Sequence, residues 1–203
     1  YQYDPPVHDY DPAFQPDNPD ALASPAVTRI LKDDEGRLWL GTRYGGLNRL
    51  DRQTGTFTPY PYDPAFEPDD PNTFSGNSVH RLLVDRRGQI WVGSAHWNVD
   101  QTRTYARLGM ERLDPDTGSI ARFVADPEDL CSLPHDYVAA AYEDSRGTLW
   151  FHTFAGGLEV YDETTGCFEH HAHDPDDART LGGDDITRFY EDDAGGLWIG
   201  TGT

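Results

Sequence analysis

The chain is short of positive charge and especially of lysine. Of its 203 residues, 16 are Lys or Arg against 36 Asp or Glu, and Lys32 is the only lysine. The net charge of −20 argues against a nucleic-acid partner, because a strongly acidic surface repels phosphates. Salt adaptation and a codon bias toward Arg and Asp both account for this acidity, and the sequence leaves the two open.

Long apolar runs and cysteines are also scarce. No run of about 18 apolar residues is present, so we expect contact with a membrane only through segments outside the chain. The chain begins at Tyr1 and shows no signal peptide, which favours an excised or processed piece. Cys131 and Cys167 are either a disulfide formed in an oxidising compartment or two small buried residues.

The familiar catalytic and metal-binding motifs are missing as well. No Gly-x-Ser-x-Gly, His-Glu-x-x-His, P-loop or dinucleotide fingerprint appears, so we predict neither catalytic residues nor a cofactor. Residues 114–118 superficially resemble a calcium loop but lack its later ligands. His171 and His173 would share one face of a strand, yet they align with Tyr60 and Tyr62. We interpret them as replaced aromatics, and we predict no metal site.

What the chain does contain is one motif in four copies. The pattern Asp-x-x-Gly-x-x-Trp ends at Trp39, Trp91, Trp150 and Trp198. The copies are about 50 residues apart, a spacing that is typical of repeat architectures. The motif therefore defines units, and the units replace the usual count of domains.

Each unit shows four strand signals. An apolar first strand, predicted to be buried on both faces, leads through the Asp-x-x-Gly turn to the Trp strand. A third and a fourth strand follow, joined by a second Asp-to-Gly turn. Four antiparallel strands in about 50 residues form the blade of a β-propeller. We predict an all-β protein, a propeller of four-stranded antiparallel blades with three complete and one partial, over a flat or sandwich array.

The repeats set the predicted boundaries. These are residues 1–23 for the tail strand and Pro-rich loop of a preceding blade, 24–75 for unit 1, 76–133 for unit 2, 134–181 for unit 3 and 182–203 for a partial unit 4. Three and a half blades do not close a ring, so we expect open edges. The chain is then a fragment of a larger propeller or an edge-to-edge homo-oligomer.

The full pattern resembles the two-component regulator propeller repeats. It reads Asp-x-x-Gly-x-Leu-Trp-x-Gly-Thr, then Gly-Gly-Leu, Asp-x-x-Thr-Gly-x-Phe and Asp-Pro, and the resemblance covers about residues 24–203. It implies a periplasmic or otherwise extracytoplasmic sensor region of a bacterial hybrid histidine kinase, which binds a small molecule or oligosaccharide without catalysis. The alternatives are a propeller enzyme, a lyase or hydrolase similar to the streptogramin lyases, and a scaffold for protein partners.

Candidate ligand-binding residues lie where the copies differ. Unit 2 carries an insertion at about residues 96–107, predicted as a loop on the face of the inter-blade connections. The residues there that are suited to stacking on a polar ligand and hydrogen-bonding it are His96, Trp97, Asn98, Arg103 and Tyr105. The alternative is a tolerated surface insertion.

A second set of candidates lies on the first strands. Arg29, Arg81 and Arg188 each stand ten residues before a tryptophan, and Ala140 breaks the series. One hypothesis is that these arginines face an anionic ligand such as a uronate or sulfate; the interpretation that we favour is that they pair with acidic residues and hold the blades in register. His152, which replaces a glycine of the other copies, is the last candidate.

Overall fold

The computed structural model describes residues 20–60, 62, 73–97, 105–154 and 156–202, and for residues 96, 97 and 105–107 it describes the backbone alone. Within these ranges the chain forms fourteen β-strands. None of the described residues belongs to a helix that is long and apolar enough to cross a membrane. The predicted tail at residues 1–23 lies outside the described residues as far as residue 19.

The strands pair as antiparallel meanders in chain order. The first sheet contains β1 (Val27–Lys32), β2 (Leu38–Thr42), β3 (Leu47–Leu50) and β4 (Phe57–Tyr60). The second contains β5 (Ser78–Val84), β6 (Ile90–Trp97), β7 (Tyr105–Leu113) and β8 (Ile120–Phe123). The third contains β9 (Val138–Glu143), β10 (Leu149–Thr153), β11 (Gly157–Asp162) and β12 (Cys167–His171). The fourth contains β13 (Ile186–Glu191) and β14 (Leu197–Thr201).

In the described part of the chain there are thus three four-stranded sheets and one two-stranded sheet. This confirms the predicted fold class, with three complete blades and one partial blade.

The turn between the first two strands of a unit explains the fixed spacing of its motif. In unit 1, one carboxylate oxygen of Asp33 accepts the backbone N–H of Arg37 at 2.8 Å, and the other accepts the indole N–H of Trp39 at 2.8 Å. Gly36 closes the turn at a φ of 83°, which glycine adopts without strain. A single carboxylate therefore ties the turn to the tryptophan.

The same indole bond recurs in every unit. The other three bonds join Trp91 to Asp85 at 2.8 Å, Trp150 to Asp144 at 3.0 Å and Trp198 to Asp192 at 2.7 Å. The bond from Trp198 is the largest of the effects that hold the pKa of Asp192 below its ordinary value. The sequence predicted the turn and the packing tryptophan separately, without the bond that joins them.

The hydrophobic core lies between successive sheets. Trp39 packs with Val79 of unit 2, and Trp91 packs with Phe151 of unit 3. Both tryptophans are 0% exposed, whereas Trp198 of unit 4 is 64% exposed. Each tryptophan is therefore buried by the unit that follows it, as in stacked propeller blades.

The first strand of unit 1 departs from prediction. All first strands were predicted to be buried on both faces, yet Ile30 of β1 is 67% exposed and Val27 is 39% exposed. The prediction is wrong for β1, because no described unit packs against the side of β1 that faces away from unit 2. It is also wrong for β13, where Tyr190 is 64% exposed.

The insertion of unit 2 is also different from its prediction. Strand β6 continues to Trp97 and β7 begins at Tyr105, and these two residues are cross-strand partners. Only residues 98–104 fall between the strands. The predicted inserted loop at residues 96–107 is therefore partly strand, because pairing beyond Ala95 satisfies the backbone hydrogen bonds of the added residues.

Candidate functional site

The second-to-third-strand hairpins open on the same side of the molecule as the segments that enter each unit. Gly46 donates its N–H to the carbonyl of Asn77 at 2.8 Å, and Gly109 donates to the carbonyl of Asp136 at 2.9 Å. We call this side the connection face. The Asp-x-x-Gly turns lie at the opposite ends of the same strands.

Four ring side chains form a continuous group on the connection face. The centroid of the His80 ring lies 5.3 Å from that of Tyr137, the Tyr137 ring lies 6.3 Å from Phe154, and the Phe154 ring lies 5.7 Å from His135. We call these four residues the aromatic ridge. Phe154 is 58% exposed, so the ridge is open to solvent.

Local hydrogen bonds fix the shape of the ridge. The backbone carbonyl of Tyr137 accepts the backbone N–H of Phe154 at 2.9 Å, and the backbone N–H of Tyr137 donates to Nδ1 of His135 at 2.9 Å. The His135 ring is therefore an acceptor at Nδ1. His80 lies at a register shift of β5, and such β-bulges re-aim side chains.

The ridge is specific to units 2 and 3. At the positions of His80, His135, Tyr137 and Phe154, every other copy carries a residue that is neither aromatic nor histidine. The replacements are Thr28, Ala139 and Thr187; Ser24, Gly76 and Gly183; Ala26, Ser78 and Asp185; and Arg43, Ala95 and Gly202. The sequence analysis missed the ridge, although this disagreement between copies was the signal that could have found it.

The extended hairpin of unit 2 stands beside the ridge. Ser78 and Ala95 are cross-strand partners, and a Cβ built on Gly93 would lie 3.2 Å from Nε2 of His80. Three of the predicted hairpin residues, His96, Trp97 and Tyr105, lie on the two strands that continue from this point. Asn98 and Arg103 lie outside the described residues, so their predicted roles stay predictions.

The predicted arginines lie opposite the glycines of the Trp strands. Arg29 pairs across the strands with Gly41, Arg81 with Gly93, and Arg188 with Gly200. Each pair is a cross-strand neighbour, so all three arginines occupy one position of the repeat.

The arginines of units 1 and 2 bind backbone carbonyls. Arg81 donates to the carbonyl of His80 at 2.9 Å and to that of Ala139 in unit 3, and Arg29 donates to the carbonyl of Thr28 at 2.7 Å. Among the described residues, no carboxylate forms an ion pair with Arg29, Arg81 or Arg188. The predicted pairing of these arginines with acidic residues is therefore wrong within the described residues, and Arg81 instead contacts unit 3 through the carbonyl of Ala139.

The two unusual residues of unit 3, Ala140 and His152, replace an Arg–Gly pair of the other units. They are cross-strand partners, so unit 3 has Ala opposite His where the other units have Arg opposite Gly. The His152 side chain is buried, with Nδ1 2.8 Å from the carbonyl of Gly157 and Nε2 3.8 Å from Asp185 of unit 4. Its predicted role in ligand binding stays a prediction.

Two buried glutamates escaped the sequence analysis. Glu111 of β7 is 0% exposed and accepts hydrogen bonds from the Ser75 N–H at 2.7 Å and from the Ser94 hydroxyl at 2.8 Å. Burial raises the pKa of Glu111, and these bonds together with the charge of Arg122 oppose that rise. Because the Glu111 carboxylate is buried, its role is structural: it joins Ser75, at the start of unit 2, to Ser94 of β6.

Glu159 is the equivalent residue of unit 3. It is also 0% exposed, accepts the Thr153 hydroxyl at 3.1 Å and binds Nδ1 of His170. Nε2 of His170 lies 3.0 Å from the carbonyl of Leu130. Both ring nitrogens of His170 thus lie within hydrogen-bonding distance of oxygen atoms.

The two cysteines form a disulfide that closes unit 3. Cys131 and Cys167 have Cα atoms 4.5 Å apart, within the range of protein disulfides. The bond joins the segment that enters unit 3 to the outer strand β12, where Phe168 also donates its N–H to the carbonyl of Cys131 at 2.9 Å. Of the two alternatives left by the sequence, the structure shows the disulfide.

No group of three or more His, Cys, Asp or Glu side chains within the described ranges is arranged to hold a metal ion.

On the face opposite the ridge, a cleft of about 190 Å³ lies between units 2 and 3. Its charged groups are paired with each other, Arg86 with Glu143 at 2.9 Å and Arg87 with Glu163 at 2.8 Å. This arrangement indicates contacts between blades.

The comparison with protein families gives one result across all four units. The two component regulator propeller family matches residues 21–44, 73–96, 132–155 and 180–203. Each matched segment contains a first strand, an Asp-x-x-Gly turn and a Trp strand. No curated protein matches the chain significantly.

Solved structures share the fold. The chain is similar to an extracellular domain described as part of a hybrid two component system of B. thetaiotaomicron, with 23% identity, a TM-score of 0.68, and 92% of this chain and 22% of that chain covered. An extracellular domain of a one component system from the same organism gives 23% identity, a TM-score of 0.63, and coverages of 89% and 21%.

An enzyme is also among the similar structures. Virginiamycin B lyase from Staphylococcus aureus gives 16% identity, a TM-score of 0.54, and coverages of 86% of this chain and 48% of that chain. At these identities the likeness shows the fold alone. The chain spans about a fifth of the length of the two extracellular domains.

Proposed function

The chain belongs to the two component regulator propeller family, and from this premise we propose that it is a non-catalytic, ligand-sensing part of an extracytoplasmic sensor region. The ligand is a polar molecule such as an oligosaccharide, bound on the aromatic ridge. The observation that carries the proposal is the ridge itself: four ring side chains in contact, open to solvent, at positions where the other copies of the same repeat have none.

The chemistry of the ridge suits such a ligand. Binding sites for small molecules combine aromatic and apolar walls with a few placed polar groups. Phe154 and Tyr137 supply ring faces, while Nε2 of His135 supplies a hydrogen-bonding edge. The hairpin that carries Trp97 and Tyr105 continues from Ala95, whose cross-strand partner Ser78 lies two residues before His80.

The family and the disulfide support an extracytoplasmic compartment. Disulfides persist in oxidising compartments such as the periplasm, and Cys131 is bonded to Cys167. We place the chain in the periplasm and expect a histidine kinase elsewhere in the full-length protein. A propeller lyase or hydrolase and a protein-binding scaffold are the alternatives.

The test is a thermal-shift screen of the 203-residue chain against neutral and acidic oligosaccharides, followed by calorimetric titration of each hit. Phe154→Ala should weaken binding of a hit by about tenfold or more, which corresponds to about 1.4 kcal/mol. Because Phe154 is largely exposed, the variant should keep the wild-type melting temperature.

Tyr190→Ala is the matched control, since Tyr190 is 64% exposed and lies in unit 4. It should leave binding unchanged. Chromatography of the incubated hit for cleaved or eliminated products decides the enzyme alternative, and turnover would replace the proposal by a lyase or hydrolase. Equal binding by the Phe154→Ala variant and the wild type would remove the ridge as the site.

A further inference from the structure

The arginine of unit 2 lies at the inner end of the aromatic ridge. Arg81 follows His80 in β5, and its guanidinium donates to the carbonyls of His80, at 2.9 Å, and of Ala139. The ring of His80, the neighbour of Arg81 in the chain, has its centroid 5.3 Å from that of Tyr137. The guanidinium is therefore positioned by backbone groups of two units, beside two rings of the ridge.

A second arginine lies on the first strand of unit 1, which contacts β5 at this point: Thr28, the residue before Arg29, donates its hydroxyl to the carbonyl of Val79 at 2.6 Å. Burial lowers the pKa of Arg81, and the positive charge of Arg29 lowers it further. Such proximity of like charges is unfavourable, and it occurs in a chain with 36 acidic residues. Within the described ranges, Arg81 and Arg29 are held by carbonyls and form no ion pair with a carboxylate.

Donor groups remain on both side chains. A guanidinium has five N–H groups, and the recorded bonds of Arg81 occupy one on Nε and one on Nη1. The fork of an arginine matches the geometry of a carboxylate or sulfate, which it binds through two parallel hydrogen bonds. Two neighbouring guanidiniums with such donors favour an anion over a neutral polar group.

We propose that the ligand of the ridge is an anionic oligosaccharide, whose carboxylate or sulfate is bound by Arg81 with the support of Arg29 while a sugar ring stacks on Tyr137 and Phe154. This inference rests on the proposed function and narrows its ligand class. The ion pair replaces the mutual repulsion of the two guanidiniums by attraction to one anion.

The experiment is calorimetric titration of the 203-residue chain with trigalacturonate, a sulfated chondroitin tetrasaccharide and neutral galactotriose. We expect one of the acidic probes to bind at least tenfold more tightly than galactotriose, and its affinity to fall as NaCl is raised. Arg81→Gln should abolish this preference, and Arg29→Gln should reduce it severalfold. Binding of trigalacturonate would show that a carboxylate is sufficient, whereas the chondroitin tetrasaccharide carries both carboxylates and sulfates.

Arg52→Gln, in an exposed turn of unit 1, is the charge-matched control and should bind as the wild type does. Arg29 is exposed, so its variant remains informative if Arg81→Gln melts early. Equal affinity for acidic and neutral probes, or an acidic preference that survives both variants, overturns the inference and leaves the sensor proposal standing. Absence of binding to every sugar probe overturns both.

Discussion

Units 2 and 3 each bury a glutamate at the same position of their third strand, but they neutralise it with different partners. Glu111 lies directly across from Arg122, whose Nε is 3.2 Å from the carboxylate. Glu159 lies directly across from His170. Unit 2 therefore uses a cation that is always charged, whereas unit 3 uses a residue whose charge depends on its protonation.

The residue at this position of the third strand changes together with the residue at the start of its unit that contacts it. Asn48 takes the same position in unit 1, carries no charge and lies opposite Pro59. The residue that enters each unit also changes: the Ala23 N–H donates to Asn48 at 3.3 Å, and the Ser75 N–H donates to Glu111 at 2.7 Å. Unit 3 has Pro134 there, which has no N–H to give.

Glu159 consequently depends on Thr153 and His170 alone for its recorded side-chain bonds. The buried group, its cross-strand partner and the entering residue thus change together from copy to copy. Ala140 and His152 are a second case of the same rule. The difference between units teaches that a repeat position is exchanged along with its contacts.

The largest predicted effect removes the partner of the buried charge. Arg122→Leu leaves Glu111 without its cation, and breaking a buried ion pair costs about 3–5 kcal/mol of unfolding free energy. His170→Leu should cost less, because the His170 side chain is 35% exposed against 14% for Arg122. Urea unfolding at neutral pH, followed by tryptophan fluorescence, measures both losses.

His170→Arg is the matched control, since it gives unit 3 the partner that unit 2 uses. It should retain most of the stability that His170→Leu loses. If Arg122→Leu proved no more harmful than His170→Leu, the two units would be equivalent in energy despite their different partners.

The second effect concerns the disulfide, which unit 3 has and unit 1 lacks. At the positions of Cys131 and Cys167, unit 1 has Asp20 and Thr56. The two units share a backbone bond at this point, from Phe57 to the Asp20 carbonyl at 2.8 Å in unit 1 and from Phe168 to the Cys131 carbonyl at 2.9 Å in unit 3. Replacing both cysteines by serine should cost about 2–4 kcal/mol, because the bond no longer restrains a loop of the unfolded chain.

Melting temperatures with and without dithiothreitol provide the measurement. The reductant should lower the melting temperature of the wild type to that of the double variant and should not affect the double variant. A wild type that melts unchanged after its two thiols are shown to be free would contradict the stabilising role.

The fold could be predicted from the sequence because its determinants are local. The Asp-x-x-Gly turn joins two adjacent strands, and the tryptophan six residues after the aspartate lies on the second of them. Their spacing alone therefore indicates a hairpin. The aromatic ridge could not be predicted in this way, since His80 and Phe154 are 74 positions apart in numbering and meet only when two blades stack. Ala140 and His152 were both noticed as exceptions, but their pairing was not recognised, although it follows from the regular register in which Trp150 lies opposite Tyr142.

The smallest predicted effect is a pair of opposite pH dependences within unit 3. For Glu159, burial raises the pKa, and the His170 bond opposes the rise without cancelling it. Its stabilising contribution is complete below the unfolded value of about 4.3 and is lost as the pH rises through the folded value. For Asp144, burial acts in the same direction but is outweighed by hydrogen bonds from Thr148 and Trp150, which lower the pKa.

The contribution of Asp144 is therefore complete above the unfolded value of about 3.9 and is lost as the pH falls through the folded value. Glu159→Gln should remove the loss of stability that accompanies a rise in pH above about 4.3, and Asp144→Asn should remove the loss that accompanies a fall in pH below about 3.9. Urea unfolding at intervals from pH 3 to pH 7 gives the two profiles. The two variants should change the free energy of unfolding on opposite sides of the pH profile. A Glu159→Gln profile that flattened only below pH 4 would contradict this prediction, because it would show that Glu159 is ionised in the folded blade, as a residue paired with a permanent cation would be.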